Sequence, residues 1–110
     1  MYVMSETFKL SNPLKVFGAE KDRELTELPY DFENMTARDK LNAGKKMKAS
    51  GNPATSVEEL DTDYHLYLFA EAVCVADKAI DTSDVLRISA KDAQKGASLA
   101  RRFFYLGSAK

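Results

Sequence analysis

The segment "ELDTDYHLYLFAEAV", residues 59–73, combines an acidic beginning with a long apolar run. From Leu66 to Ala76, Glu71 is the only charged residue. A helix that is apolar on most of its sides is normally surrounded by protein. The sequence therefore predicts that this segment is the central helix of the fold. We expect its core positions to include Leu68, Phe69, Val73 and Cys74.

The same segment contains the only histidine of the chain, His65, close to several carboxylates, which raises the possibility of a metal or acid–base site. On a helix Asp61 and His65 share a face, but Asp63 points almost the opposite way. A metal ion needs at least a third convergent ligand, and no second histidine or ligating cysteine supplies one. Carboxylates in the first turns of a helix are stabilised by its dipole. We interpret the motif as a helix start and expect no metal and no cofactor.

Capping boxes, in which Ser or Thr pairs with an acidic residue three positions later, mark the starts of three helices. The pairs are Thr36 with Asp39, Ser56 with Glu59, and Ser89 with Asp92. Gly51 and Pro53 end the first helix and predict a flexible loop over residues 50–56. A short helix from about Ser83 to Ile88 is expected before the last one.

The first third of the chain contains short stretches with a strand-like pattern, "FKL", "LKVFG" and "ELTELPYDF". Weak period-two alternation and a turn at Gly18 and the polar residues after it predict a β-hairpin. The predicted fold class is mainly α, with three to four helices packed around a central apolar helix and a short N-terminal β-hairpin or extended segment. A single domain is expected over residues 1–110, with the extended or hairpin part at 1–33 and the helical part at 34–110.

The first and last helices are both expected to be amphipathic. In the first, the apolar face is predicted to hold Ala37, Leu41, Gly44 and Met47. In the last, basic residues run down one side, and the end of the opposite side is crowded with large apolar residues, more than a single core usually needs. These are Leu99, Phe103, Phe104, Tyr105 and Leu106. Either the small domain clasps this helix, or part of its surface binds another chain, and we predict a protein-binding surface here.

Composition narrows the class of protein. The net charge of −1 argues against a dedicated nucleic-acid binder, and the single cysteine rules out an internal disulfide framework. Charge occurs in blocks, with +4 over residues 36–50 and −7 over residues 51–84.

Glu6 and Lys9 interrupt any apolar region of a signal peptide, so a cytoplasmic protein is expected. No serine lies in a Gly-x-Ser-x-Gly turn and the glycines are scattered singly, so we predict that the protein is not an enzyme.

The order of these features resembles a known family, the tail assembly chaperones of long-tailed bacteriophages. The similarity includes "YDFENMTARD" (residues 30–39), the alanine-rich helix "DTDYHLYLFAEAV", and the end segment "LRISAKDAQKGASLARRFFYLG". The matching positions are Asp31, Phe32, Asp39, Asp92 and Phe103. The resemblance covers most of residues 25–107, and its motifs are helix caps and apolar positions rather than chemistry. The polar insert "KKMKASGNPATS" departs from the pattern of the family.

The resemblance implies a non-enzymatic role. Proteins of this family coat the long helical tape-measure protein before the tail tube polymerises around it, and they keep it soluble. Many self-associate, and many exist as a short form and a frameshifted longer form. It also implies a location in the host cytoplasm and absence from the mature virion.

Two alternatives belong to other classes of protein. One is a structural phage tail or connector subunit. The other is a small helical nucleic-acid-associated protein that uses the basic residues of the first helix. These are Arg38, Lys40, Lys45, Lys46 and Lys48. The acidic central block argues against the second alternative.

Overall fold

Six secondary-structure elements follow one another in the computed structural model, which describes residues 6–17, 22–49, 51 and 62–105. They are β1 (Glu6–Phe17), β2 (Asp22–Tyr30), α1 (Ala37–Ala49), α2 (Thr62–Ala76), α3 (Thr82–Val85) and α4 (Ala90–Tyr105). The fold is therefore mainly helical, with an antiparallel hairpin of two strands before the helices, as predicted. The predicted cap of α2, Ser56 with Glu59, lies outside the described residues.

Strand β1 of the hairpin contains a large bulge. Its register runs from the Glu6–Tyr30 pair to the Lys9–Glu27 pair and resumes at Leu14–Leu25. Residues 10–13 of β1 therefore lie opposite the single residue 26 of β2. The sequence suggested separate short pieces here, whereas the structure has one continuous strand that accommodates Pro13 within the bulge. The face of the hairpin that meets the helices buries Phe8, Leu14, Val16, Leu28 and Tyr30.

Local capping interactions define both ends of α1. The backbone N–H of Thr36 donates to Asp39 Oδ2 at 2.9 Å, and the N–H of Asp39 donates to Thr36 Oγ1 at 3.3 Å. This is the predicted capping box. At the other end Gly51 has a φ of 97°, a conformation that glycine adopts without steric cost, and its N–H donates to the carbonyl of Lys48.

The buried face of α1 differs from the prediction. Ala43 and Met47 are buried, whereas Leu41 is 67% exposed. Helix α1 packs on α2 on the side of Ala43, Gly44 and Met47, and a Cβ at Gly44 would lie 3.8 Å from Tyr64 Cε1, an ordinary contact distance. Leu41 lies on the opposite side of α1 from Ala43 and is left in solvent. The prediction is therefore wrong for Leu41 and for Ala37, which is also exposed, and right for Met47.

Helix α2 is the most extensively buried helix among the described residues. It contacts β2 and each of the other three helices. Leu68, Phe69 and Val73 are fully buried, as predicted, whereas Cys74 is half-buried. The N–H of Asp31, just after β2, donates to the carbonyl of Ala72 at 3.1 Å and fastens the hairpin to this helix. Although α2 is apolar, none of the helices in the described ranges is both long and apolar enough to cross a membrane.

The closest contact between α2 and α4 occurs at Gly96. A Cβ placed on this glycine would lie 2.7 Å from Cδ2 of Phe69, well inside an ordinary van der Waals contact. The ring of Phe69 is itself held from the hairpin side, with ring centroids 5.0 Å from Phe8 and 5.9 Å from Tyr30. The fold therefore requires the smallest residue at position 96.

The helix predicted between about Ser83 and Ile88 is shorter than expected and begins one residue earlier, at Thr82. Asp81 caps it and forms a capping box with Asp84. A turn and a bend over Leu86–Ile88 lead to Ser89, and α4 begins at Ala90. The N–H of Asp92 donates to Ser89 Oγ at 3.1 Å, which is one half of the predicted cap of α4.

Candidate protein-binding surface at the end of α4

The last turns of α4 carry an aromatic cluster, formed by Phe103, Phe104 and Tyr105 together with Phe32 from the segment after β2. The rings of Phe32 and Phe103 stack, with centroids 5.2 Å apart and planes 20° apart. Phe104 meets Phe32 edge to face at 5.7 Å and Phe103 edge to face at 4.9 Å. Such pairs contribute about 0.5–1.5 kcal/mol each beyond the area that they bury. The cluster is therefore an ordered surface rather than a set of loose side chains.

Tyr105 extends the aromatic cluster toward the beginning of α2. Its ring centroid lies 5.4 Å from that of His65, which is only 2% exposed. The end of α4 is thus packed against both the hairpin-side segment at Phe32 and the first turns of α2. These contacts determine which side of the last turns of α4 faces solvent.

Four of the five residues predicted for protein binding come together in the structure. Leu99, Phe103, Phe104 and Tyr105 are half-buried and pack against the core. Leu106 lies outside the described residues. Part of the apolar arc is therefore clasped by the domain, and these side chains remain partly exposed along the last turns of α4.

The acidic residues around His65 diverge in the structure. Asp63 is exposed at the start of α2, whereas His65 and Glu71 are buried. Asp61 lies outside the described residues. Within the described ranges no group of three or more His, Cys, Asp or Glu side chains could hold a metal ion.

The buried carboxylate of Glu71 is the centre of a polar contact that links three helices. Lys46 of α1 reaches Glu71 Oε2, and its Nζ also donates to Thr82 Oγ1 at 2.8 Å. Burial alone would lower the pKa of Lys46, but the hydrogen bond and the charge of Glu71 raise it above its ordinary value. Burial raises the pKa of the Cys74 thiol, whose Sγ lies 3.8 Å from Thr82 Oγ1, so this thiol stays protonated at neutral pH. The contacts of Lys46 with Glu71 and Thr82 hold α1 and α3 on α2. Their only signal in the sequence was Glu71, the one charged residue in an apolar run.

A second buried carboxylate, Asp92, joins α4 to the bulge of β1. It is 1% exposed and accepts hydrogen bonds from the backbone N–H of Ser11 at 2.8 Å and from its hydroxyl at 2.9 Å. Burial alone would raise the pKa of Asp92, but the hydrogen bonds from Ser11 and Ser89 outweigh it and lower the pKa. The sequence identified Asp92 as a capping residue, but gave no sign of its partner in the hairpin. This contact fixes α4, and with it the aromatic cluster, relative to the sheet.

The basic residues of α1 divide into two groups. Lys46 points inward to Glu71, and Lys40 Nζ lies 5.4 Å from the centroid of the Tyr64 ring. Arg38, Lys45 and Lys48 are exposed. The five cations that the nucleic-acid alternative requires therefore do not form one surface.

Comparisons of the chain with protein-family models, with curated proteins and with solved structures find no match. The groups of the candidate site are apolar and aromatic, and such side chains are enriched at the cores of protein–protein interfaces.

Proposed function

We propose that this protein is a non-enzymatic tail assembly chaperone of a bacteriophage, which binds the tape-measure protein and keeps it soluble while the tail is built. It acts in the cytoplasm of the host cell, self-associates on its client, and is left out of the finished particle. The observation that carries the proposal is the aromatic cluster, an ordered and partly exposed apolar surface at the end of an amphipathic helix.

The rest of the fold holds the aromatic cluster in place. In the proposal α2 is the central apolar helix, against which the hairpin and the other helices pack. The Asp92–Ser11 contact and the close approach at Gly96 hold α4 at both its start and its middle. A surface on a rigid element loses little conformational entropy when it binds, so even a small contact area contributes to affinity.

The proposed client is long and helical. An amphipathic helix can lie on the exposed part of Leu99, Phe103 and Phe104 through apolar residues spaced three and four apart. Each contact is weak, but contacts repeated along the client add up through multivalency. Copies of the chaperone can therefore cover the client firmly and still be displaced one at a time as the tube grows.

The experiment is co-expression of the tape-measure protein with the wild type and with Phe104→Ser. Because Phe104 is half-buried, its loss should disturb folding less than loss of the fully buried Phe69, but should weaken both self-association and solubilisation of the client. Leu86→Ser is the control, since Leu86 is 40% exposed and lies between α3 and α4, away from the aromatic cluster. Soluble client is scored after centrifugation, and oligomer size is measured by light scattering. A strictly monomeric wild type that leaves the client as insoluble as it is alone refutes the proposal.

A further inference from the structure

Residues 50–61 divide the chain into two halves and form the longest connection between consecutive elements. The N-terminal half holds β1, β2 and α1, and the C-terminal half holds α2, α3 and α4. Among the described residues, the hairpin and α1 pack little on each other, and each packs on the C-terminal half instead. An isolated hairpin and an isolated helix of 13 residues are both marginal in water. The N-terminal half is therefore stable only on a C-terminal half.

The contacts between the two halves are specific as well as apolar. Aromatic pairs join Phe8 to Phe69 and Phe32 to Phe103. The polar contacts are Ser11 with Asp92, Lys46 with Glu71 and Thr82, Arg23 with Asp77, Arg87 with the carbonyl of Lys15, and the N–H of Asp31 with the carbonyl of Ala72. The carboxylates of Glu71 and Asp92 are buried, so leaving either without its partner from the other half would be costly. None of these contacts depends on whether the two halves belong to the same chain.

The proposed function includes self-association, on which the following proposal rests, and self-association needs an interface. The core of a protein interface is normally apolar. In the described ranges, Leu41 and Leu86 are the only large apolar residues that are exposed rather than half-buried or buried, and they lie on different elements. The aromatic cluster is half-buried and is assigned to the client. Two complete folds that meet face to face would therefore have little further apolar surface to bury.

We propose that two copies of the chain associate by exchanging their N-terminal halves, so that the hairpin and α1 of each copy pack on the C-terminal half of the other. Each of the two lobes of such a dimer keeps the contacts described above, and the connection at residues 50–61 runs from one lobe to the other. The exposed part of the aromatic cluster stays free for the client in both lobes. An unrelated protein is a poor substitute, because it would have to supply a lysine for Glu71, a hydroxyl and an N–H for Asp92, and a ring for Phe69 all at once.

The test uses one substitution in each half, at two residues that meet across the halves. Lys46→Glu alters the N-terminal half and Glu71→Lys alters the C-terminal half, and either change alone places two like charges at the same contact. In a mixed dimer with exchanged halves, one lobe combines both altered halves and the other combines both unaltered halves. The charges are then opposite in the first lobe, and the second lobe is wild type. Without exchange, every copy keeps its own pair of like charges.

The two variants are unfolded together in urea, refolded as a mixture, and melted while circular dichroism is followed. We expect each variant alone to melt about 8 °C or more below the wild type. The mixture should show a transition at the wild-type temperature that neither variant shows alone. Labelling one variant with ¹⁵N allows native mass spectrometry to identify the mixed dimer by its mass.

A second mixture, Glu71→Lys with Asp92→Asn, is the matched control because both residues lie in the C-terminal half. Exchange of halves then leaves one altered residue in each lobe, so this mixture should melt as its two components do. A third mixture, Lys46→Met with Asp92→Asn, covers the case in which the charge-reversed chains do not fold. These milder substitutions lie in different halves, so the mixed dimer again contains one wild-type lobe and should melt partly at the wild-type temperature.

Three results would overturn the proposal. The first is that both mixtures with one substitution in each half melt only as their separate components do, which would mean that each chain keeps its own halves together. The second is equal restoration in the control mixture, which would mean that mixing stabilises the chains without exchange. The third is a wild type that is monomeric in light scattering at its highest soluble concentration. None of these measurements includes the client, so exchange of halves can fail while the protein still keeps the tape-measure protein soluble.

Discussion

A methyl group added at Gly96 should destabilise the fold, although alanine is the better helix former. The new Cβ would lie 2.7 Å from Cδ2 and 2.9 Å from Cε2 of Phe69, whereas ordinary contacts begin at 3.4 Å. Phe69 is fully buried between α4 and the rings of Phe8 and Tyr30, so its ring has no free space into which to move. Either α4 or the hairpin must therefore shift.

The magnitude follows from two opposing contributions. Overpacking of this kind costs about 1–3 kcal/mol, and three ring atoms within 3.0 Å place Gly96→Ala at the upper end. The gain in helix propensity offsets about 1 kcal/mol of this. The net loss is about 2 kcal/mol, a large share of the stability of a small domain. The melting temperature should fall by about 8–16 °C.

Gly44 is the matched control within the same chain. It lies in the middle of α1, and its Cβ would meet Tyr64 at 3.8 Å, an ordinary van der Waals contact. Gly44→Ala should therefore gain up to about 1 kcal/mol and raise the melting temperature. Urea unfolding followed by circular dichroism measures both variants. If Gly96→Ala is as stable as the wild type while Gly44→Ala behaves as expected, the close approach of α2 and α4 is wrong.

Three further substitutions test the buried contacts. Phe69→Ala should cost about 3–5 kcal/mol and unfold much of the domain, and retention of the full helical circular dichroism signal with little loss of stability would contradict its core position. Asp92→Asn should cost about 1–3 kcal/mol at pH 7. Because the pKa of Asp92 is lower in the folded state, its contribution is fully present above its unfolded pKa of about 3.9 and is lost as the pH falls through the folded value, so urea titrations should show wild type and variant converging in acid. Lys46→Met should cost about 1–2 kcal/mol of stability, less than for a fully buried pair because Lys46 is partly exposed. A double-mutant cycle with Glu71→Gln should show that the effects of the two substitutions on stability are strongly coupled.

The features that the sequence predicted well are those in which the interacting residues are close along the chain. Thr36 and Asp39 form a capping box three residues apart, and Gly51 ends the same helix within a few residues. These signals do not depend on what the helix packs against. The long apolar run of α2 likewise indicates burial whatever its neighbours are.

The features that the sequence did not predict depend on distant residues. The side of α1 that is buried is decided by how α1 packs on α2, so a periodic pattern on α1 alone placed Leu41 on the wrong side. The same applies to the pairing of Asp92 with Ser11, because each residue also has a local explanation as a cap or a turn residue.

The sequence indicated which residues of α4 crowd together near its end, but not how they pack. The crowding of apolar residues near the end of α4 correctly indicated a cluster, because their number in so few turns is visible in the sequence. What the sequence could not provide is the partner within the fold, Phe32, which decides how much of Phe103 and Phe104 is covered. The division between a covered and an exposed part of the same side chains is a property of tertiary packing alone.

The hydrogen bonds between Asp92 and Ser11 span 81 residues, and this separation affects how the chain folds during synthesis. At about 5–20 residues per second, the ribosome needs about 4–16 s to proceed from Ser11 to Asp92. During that time the N–H and hydroxyl of Ser11, in the bulge of β1, lack the Asp92 carboxylate as their acceptor. An isolated hairpin is only marginally stable in water. The nascent N-terminal strands therefore stay unfinished until α4 leaves the exit tunnel. The hairpin is translated before α4 but completed only after it.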